Sequence, residues 1–157
     1  MRSLDIPEWL STMNQEGGYF DLEHVVPLDF NSLVTAAKRK SGLEDFGEDY
    51  WIEPLKLLSE DLDSVAELTL MGRLMARNDI LIWLDNRLKI IDLVKRHPEI
   101  LAQEIKAPMF IVGLPRSGTS ILFEVLSKDP DVGVPTTWEA MFPFPPPEAA
   151  TYASDPR

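Results

Sequence analysis

The stretch Met109-Phe110-Ile111-Val112-Gly113-Leu114-Pro115-Arg116-Ser117-Gly118-Thr119-Ser120 constrains this chain more than any other. Its apolar opening predicts a short buried strand, the two glycines bracket a loop, and Ile121-Leu122-Phe123 begin a helix. In a strand–loop–helix turn of this kind, backbone N–H groups and a helix N-terminus together hold a phosphate-like anion. Gly113 and Gly118 allow a tight turn and a close backbone approach, because neither carries a Cβ.

Whatever anion is bound must be held by such local donors, because the 157-residue chain carries a formal charge of −11. A surface that acidic argues against nucleic acid or anionic lipid as the main partner. Hydrophobic residues make up 45% of the sequence, enough for a folded core. With no cysteine, disulfides and thiolate metal sites are excluded, which fits a cytoplasmic protein. The N-terminus lacks the apolar core of a signal peptide. Asp79, Asp85, Arg87 and Lys89 interrupt the most hydrophobic region, so no membrane span is expected.

The chain ahead of the loop reads as helical scaffold. Residues 1–27 form an irregular arm with a short helix near Pro7 to Met13, and His24 in it is a surface or packing residue. Asp29 predicts the N-cap of a helix reaching Lys40, with Gly42 as its stop. The basic triplet Lys38-Arg39-Lys40 complements the dipole of that helix at its end. A second helix includes Trp51, Leu55, Leu58 and Leu62, starting close enough to Pro54 for the proline to sit in its first turn. The longest helix is expected from about Ala66 to Arg96, with Leu74, Leu81, Leu84, Leu88 and Ile91 as its buried stripe, widened by Trp83, Ile90 and Val94. His97-Pro98 ends it. Beyond the loop, a helix from Thr119 to Lys128 is expected to turn Ile121, Leu122, Val125 and Leu126 inward. A second short strand is expected at Val132-Gly133-Val134, and an extended proline run follows at 143–147.

The spacing Gly113-x-x-x-x-Gly118 is that of the phosphate loop of nucleotide hydrolases, where a lysine and a Ser or Thr follow the second glycine. Thr119 stands in place of that lysine, and the cation sits inside the loop at Arg116. A Mg²⁺-dependent hydrolase therefore fits poorly. Instead, Pro115-Arg116-Ser117-Gly118-Thr119-Ser120 resembles the 5′-phosphosulfate-binding loop of sulfotransferases. With Thr137-Trp138-Glu139 and a proline run after it, the segment 108–148 is similar to the bacterial-type members of that family.

The resemblance implies a P-loop-type α/β fold: a parallel sheet, of which only the first βα unit is present, preceded by a mainly α-helical region. The corresponding division is 1–106 for the helical region and 107–157 for the start of the sulfotransferase domain. It also implies transfer of a sulfuryl group from 3′-phosphoadenosine 5′-phosphosulfate to a hydroxyl or amine of a small-molecule acceptor, with no metal. Gly113, Pro115, Arg116, Ser117, Gly118, Thr119 and Ser120 would bind this co-substrate. Arg116 would also meet charge developing on the bridging oxygen. Glu139 is the candidate general base, and a solvent-facing glutamate at a helix start is the other reading of it.

Residues 121–157 carry no second motif for the donor's 3′-phosphate. The chain therefore reads as the N-terminal portion of a larger enzyme, weakly active alone and prone to self-association through unpaired strand edges. Two other functions fit the sequence less well. One is a P-loop nucleotide kinase or NTP-binding protein; the other is a non-enzymatic helical interaction protein with a vestigial loop.

Overall fold

The computed structural model describes residues 6–114 and 116–156. Seven α-helices are formed among them: α1 (Glu8–Gly17), α2 (Leu22–Val25), α3 (Phe30–Ser41), α4 (Ile52–Ser64), α5 (Leu70–Arg96), α6 (Thr119–Leu126) and α7 (Thr137–Met141). Cα packing divides the chain into two compact units, Met1–Lys95 and Arg96–Arg157.

In the first unit, local signals set the helix ends. The Asp29 carboxylate accepts from Ser32 N–H at 2.9 Å at the start of α3, and Gly42 closes that helix in the left-handed region at φ +71°. Pro54 lies on the first turn of α4, where its missing N–H costs no helical bond. Thr69 Oγ1 accepts from Gly72 N–H at 3.3 Å as α5 begins, somewhat later than the apolar pattern suggested.

The core of this unit gathers Leu33 and Ala37 of α3, Phe46, Leu55 of α4, and Ile80, Leu84 and Leu88 of α5. Trp51 packs against Phe46 with ring centroids 4.6 Å apart and against Phe30 at 5.9 Å. Arg87 fastens the α3–α4 connection to α5. Its Nε donates to Phe46 C=O at 2.7 Å, its Nη2 to Glu48 C=O at 2.8 Å and its Nη1 to the Tyr50 hydroxyl at 3.0 Å.

The buried face of α5 departs from the expected stripe. Arg73 and Asp85 lie inside it, while Trp83 is 58% exposed and Ile90 40%. Both buried charges are paired, as burial in low dielectric requires. Arg73 Nε donates to Val26 C=O at 3.0 Å and its guanidinium pairs with Asp63. Asp85 faces Lys89 at 2.8 Å and Lys40 at 3.6 Å. The N-terminal arm likewise holds two helices, α1 and α2, where one short one was expected.

In the second unit, the expected strands at 109–112 and 132–134 are not formed, and the described residues contain no β-strand. A strand needs a neighbouring chain for its N–H and C=O groups, and local apolar character cannot supply one. Without a sheet to pack on, Met109, Phe110, Val112 and Leu114 are largely exposed. Ile121, Leu122 and Val125 of α6 are exposed for the same reason, against the inward packing expected of them. The expected parallel sheet is thus not formed among the described residues.

Candidate functional site

The loop forms in the absence of the strand. Ser117 N–H bonds Leu114 C=O at 3.2 Å, Arg116 takes φ +66° and Gly118 takes φ +90°. Positive φ at a non-glycine residue such as Arg116 is uncommon. Gly113 lies tight beneath the turn. A Cβ there would fall 2.7 Å from Ser117 Oγ and 2.8 Å from Thr119 Cγ2. At Gly113 the demand is for space, and at Gly118 it is for conformation.

Gly118 is the N-cap of α6, and no side chain caps that helix. The first intrahelical bond runs from Leu122 N–H to Gly118 C=O at 3.0 Å. The N–H groups of Thr119, Ser120 and Ile121 therefore project from the helix start without an intrahelical partner, beside the hydroxyls of Ser117, Thr119 and Ser120. This is an arrangement suited to an anion. Arg116 is exposed and has no ion pair with a described carboxylate. Of the residues expected to bind the co-substrate, Pro115 lies outside the described residues, and the other six fall on this turn.

Next to the turn, a cleft of about 530 Å³ opens between α6 and α7, lined in part by Thr119, Ser120, Glu124, Thr136 and Thr137. Glu139 occupies the first turn of α7 but does not line the cleft. Its Oε2 accepts from both the N–H and the hydroxyl of Thr136, each at 2.6 Å. These bonds, the hydroxyl's foremost, with a smaller contribution from the Tyr152 hydroxyl, hold the carboxyl below its ordinary pKa. The Tyr152 ring packs on Trp138 with centroids 5.2 Å apart. The pattern Thr136-x-x-Glu139 is that of a capping box, which the sequence itself displays.

Glu124, which reads from sequence as facing water and is exposed on α6, also lines this cleft, as does Thr136. Ser120 and Glu124 are spaced i, i+4, which puts them on one face of α6 and offers a usable signal. Thr136 carried none beyond its capping-box spacing. No group of three or more His, Asp or Glu residues placed to hold a metal occurs among the described residues. No helix among them is long and apolar enough to cross a membrane.

Residues 108–157 match the model of the sulfotransferase family. No curated protein matches the chain in sequence. Among solved structures, it is similar to sulfotransferase STF9 from Mycobacterium avium, with a TM-score of 0.72 and 27% identity over 82% of this chain and 33% of that one. It is also similar to sulfotransferase STF1 from Mycobacterium tuberculosis H37Rv, with a TM-score of 0.71 and 34% identity over 81% of this chain and 35% of that one. The chain thus spans about a third of the length of these two structures. The arginine-bearing loop, the family match over residues 108–157 and the structural neighbours together support a sulfotransferase family assignment.

Proposed function

We propose that the turn 113–120 binds the 5′-phosphosulfate of 3′-phosphoadenosine 5′-phosphosulfate, and that the chain serves sulfuryl transfer from it to a hydroxyl or amine of a small-molecule acceptor in the cytoplasm. In this reading residues 1–106 are a helical region and 107–157 begin the P-loop-type parallel sheet domain. The observation that carries it is the uncapped start of α6, wrapped over Gly113 and preceded by Arg116 in place of a lysine-and-magnesium pair.

The amides of Thr119 and Ser120 and the neighbouring hydroxyls orient the anion. Arg116 offers a planar fork of N–H donors to its oxygens. When the acceptor oxygen bonds to sulfur, the bond from sulfur to the bridging oxygen breaks and negative charge moves onto the 5′-phosphate. Groups already aimed at that charge lower the barrier. The acceptor's proton is assigned to Glu139. Thr136 lines the cleft and its hydroxyl donates to Glu139 at 2.6 Å. A proton leaving an acceptor in the cleft reaches the carboxylate through that hydroxyl, which accepts one proton as it passes on its own.

The test is the thermal shift of the full chain with 3′-phosphoadenosine 5′-phosphate and, separately, with Mg²⁺-ATP. The first should stabilise the chain more. Arg116→Ala should weaken its binding roughly ten- to hundredfold, the worth of a charge-assisted pair. A larger shift with Mg²⁺-ATP would instead favour a nucleotide kinase or NTP-binding protein.

A further inference from the structure

The cleft between α6 and α7 has a composition that says what an acceptor must look like. Its apolar wall is Ile111, Phe123, Pro135, Ala140 and Met141, while hydroxyls lie on the side nearest the loop, at Thr119, Ser120, Thr136 and Thr137. The volume, about 530 Å³, falls in the range of small-molecule sites. Glu124 is the charged residue on this wall, and no described Lys or Arg lines the cleft with it. Lys128, just past the C-terminal end of α6, lines a separate shallow face with Ser120, Ile121, Glu124 and Val125. The Glu124 carboxylate has no hydrogen bond or ion pair with a described residue, whereas that of Glu139 is committed to Thr136.

We propose that this cleft takes an acceptor with a hydroxyl on a mainly apolar body and no anionic group, and that Glu124 is the residue that turns anionic acceptors away. The inference rests on the reading of the neighbouring turn as the donor site. Three features support it. The apolar wall favours burial of a hydrocarbon or aromatic face. The hydroxyls fix the reacting end of the acceptor beside the turn. A carboxylate or phosphate on the acceptor would meet the Glu124 carboxylate, with no described Lys or Arg lining the cleft beside it, and such a like-charge contact discriminates against it. A polyhydroxylated sugar would leave its hydroxyls against Ile111, Phe123 and Met141 without partners.

The experiment uses two probes sharing one ring system and one hydroxyl, 2-naphthol and 6-hydroxy-2-naphthoate, whose affinities for the full chain are measured by ligand-observed NMR with and without 3′-phosphoadenosine 5′-phosphate. The uncharged probe should bind at least about tenfold more tightly. Glu124→Gln should bring the two within about threefold of each other. Ala140 is exposed, so Ala140→Trp fills the cleft without disturbing a core, and it should weaken 2-naphthol at least about fivefold. Equal affinities in the unmodified chain, an unchanged ratio in Glu124→Gln, or no 2-naphthol binding would each overturn the proposal. If the nucleotide fails to bind while the probes still discriminate, it is the donor reading that falls.

Discussion

Replacing Gly113 by Ala is the sharpest test of the turn. The new methyl would lie 2.7 Å from Ser117 Oγ and 2.8 Å from Thr119 Cγ2. Ordinary van der Waals separation is about 3.5 Å, so each neighbour must retreat by roughly 0.7 Å. A hydrogen bond near 2.9 Å does not survive a displacement of that size along its own direction. Losing one bond to an anion costs about 1.5–3 kcal/mol. That is roughly ten- to hundredfold in Kd for each bond lost. The assay is calorimetric titration of the full chain with 3′-phosphoadenosine 5′-phosphate. Gly133→Ala is the matched control, because a Cβ there meets nothing within 4 Å. Gly113 belongs to no helix, so helix content by circular dichroism should be the same in both variants. A Gly113→Ala chain binding within twofold of the unmodified one would refute the cradle.

The remaining predictions concern the two units separately. Arg73→Ala should destabilise the first unit by roughly 3 kcal/mol in urea unfolding, since Asp63 and the Val26 carbonyl lose their partner; Asp63 is partly exposed, which keeps the loss near the low end for a broken buried pair. In the second unit, Glu139 has a folded-state pKa below the ordinary carboxylate value, so its contribution to α7 is complete above that ordinary value and is lost as the pH falls through the lowered one. Its side-chain carboxyl, followed by NMR, should titrate below the ordinary range, and Thr136→Val should raise the midpoint by removing the hydroxyl donor. A midpoint at the ordinary value in the unmodified chain would count against the bonds to Thr136.

The limits of α3 show what nearest-neighbour chemistry can set. Asp29 and Gly42 satisfy or end the helix with atoms a few residues away, so their roles are readable in the string. The same holds for His97-Pro98 at the end of α5 and for the glycines of the turn. Glu139 is a partial case, with both readings available and its bond to Thr136 found within the same helical turn. Arg73 and Asp85 mark where this kind of reading ends. Their burial depends on Val26 and Asp63 for one, and on Lys40 for the other, none of which a periodic stripe along α5 contains. Trp83, which the same pattern places beside that stripe, is 58% exposed while Leu84 and Leu88 are buried.

The sequence by itself determined the helical character of the first unit, the position of the glycine-bracketed turn and the family that this turn resembles. Each rests on groups close together along the chain, whose hydrogen bonds and backbone angles are settled locally. Only the tertiary structure decided which charges are buried and paired, that Glu124 and Thr136 share a cleft beside the turn, and that the apolar segments at 109–112 and 132–134 stand without strand pairing. Those outcomes depend on groups distant in sequence, and a β-strand above all has no hydrogen-bonded existence apart from the neighbour that completes it.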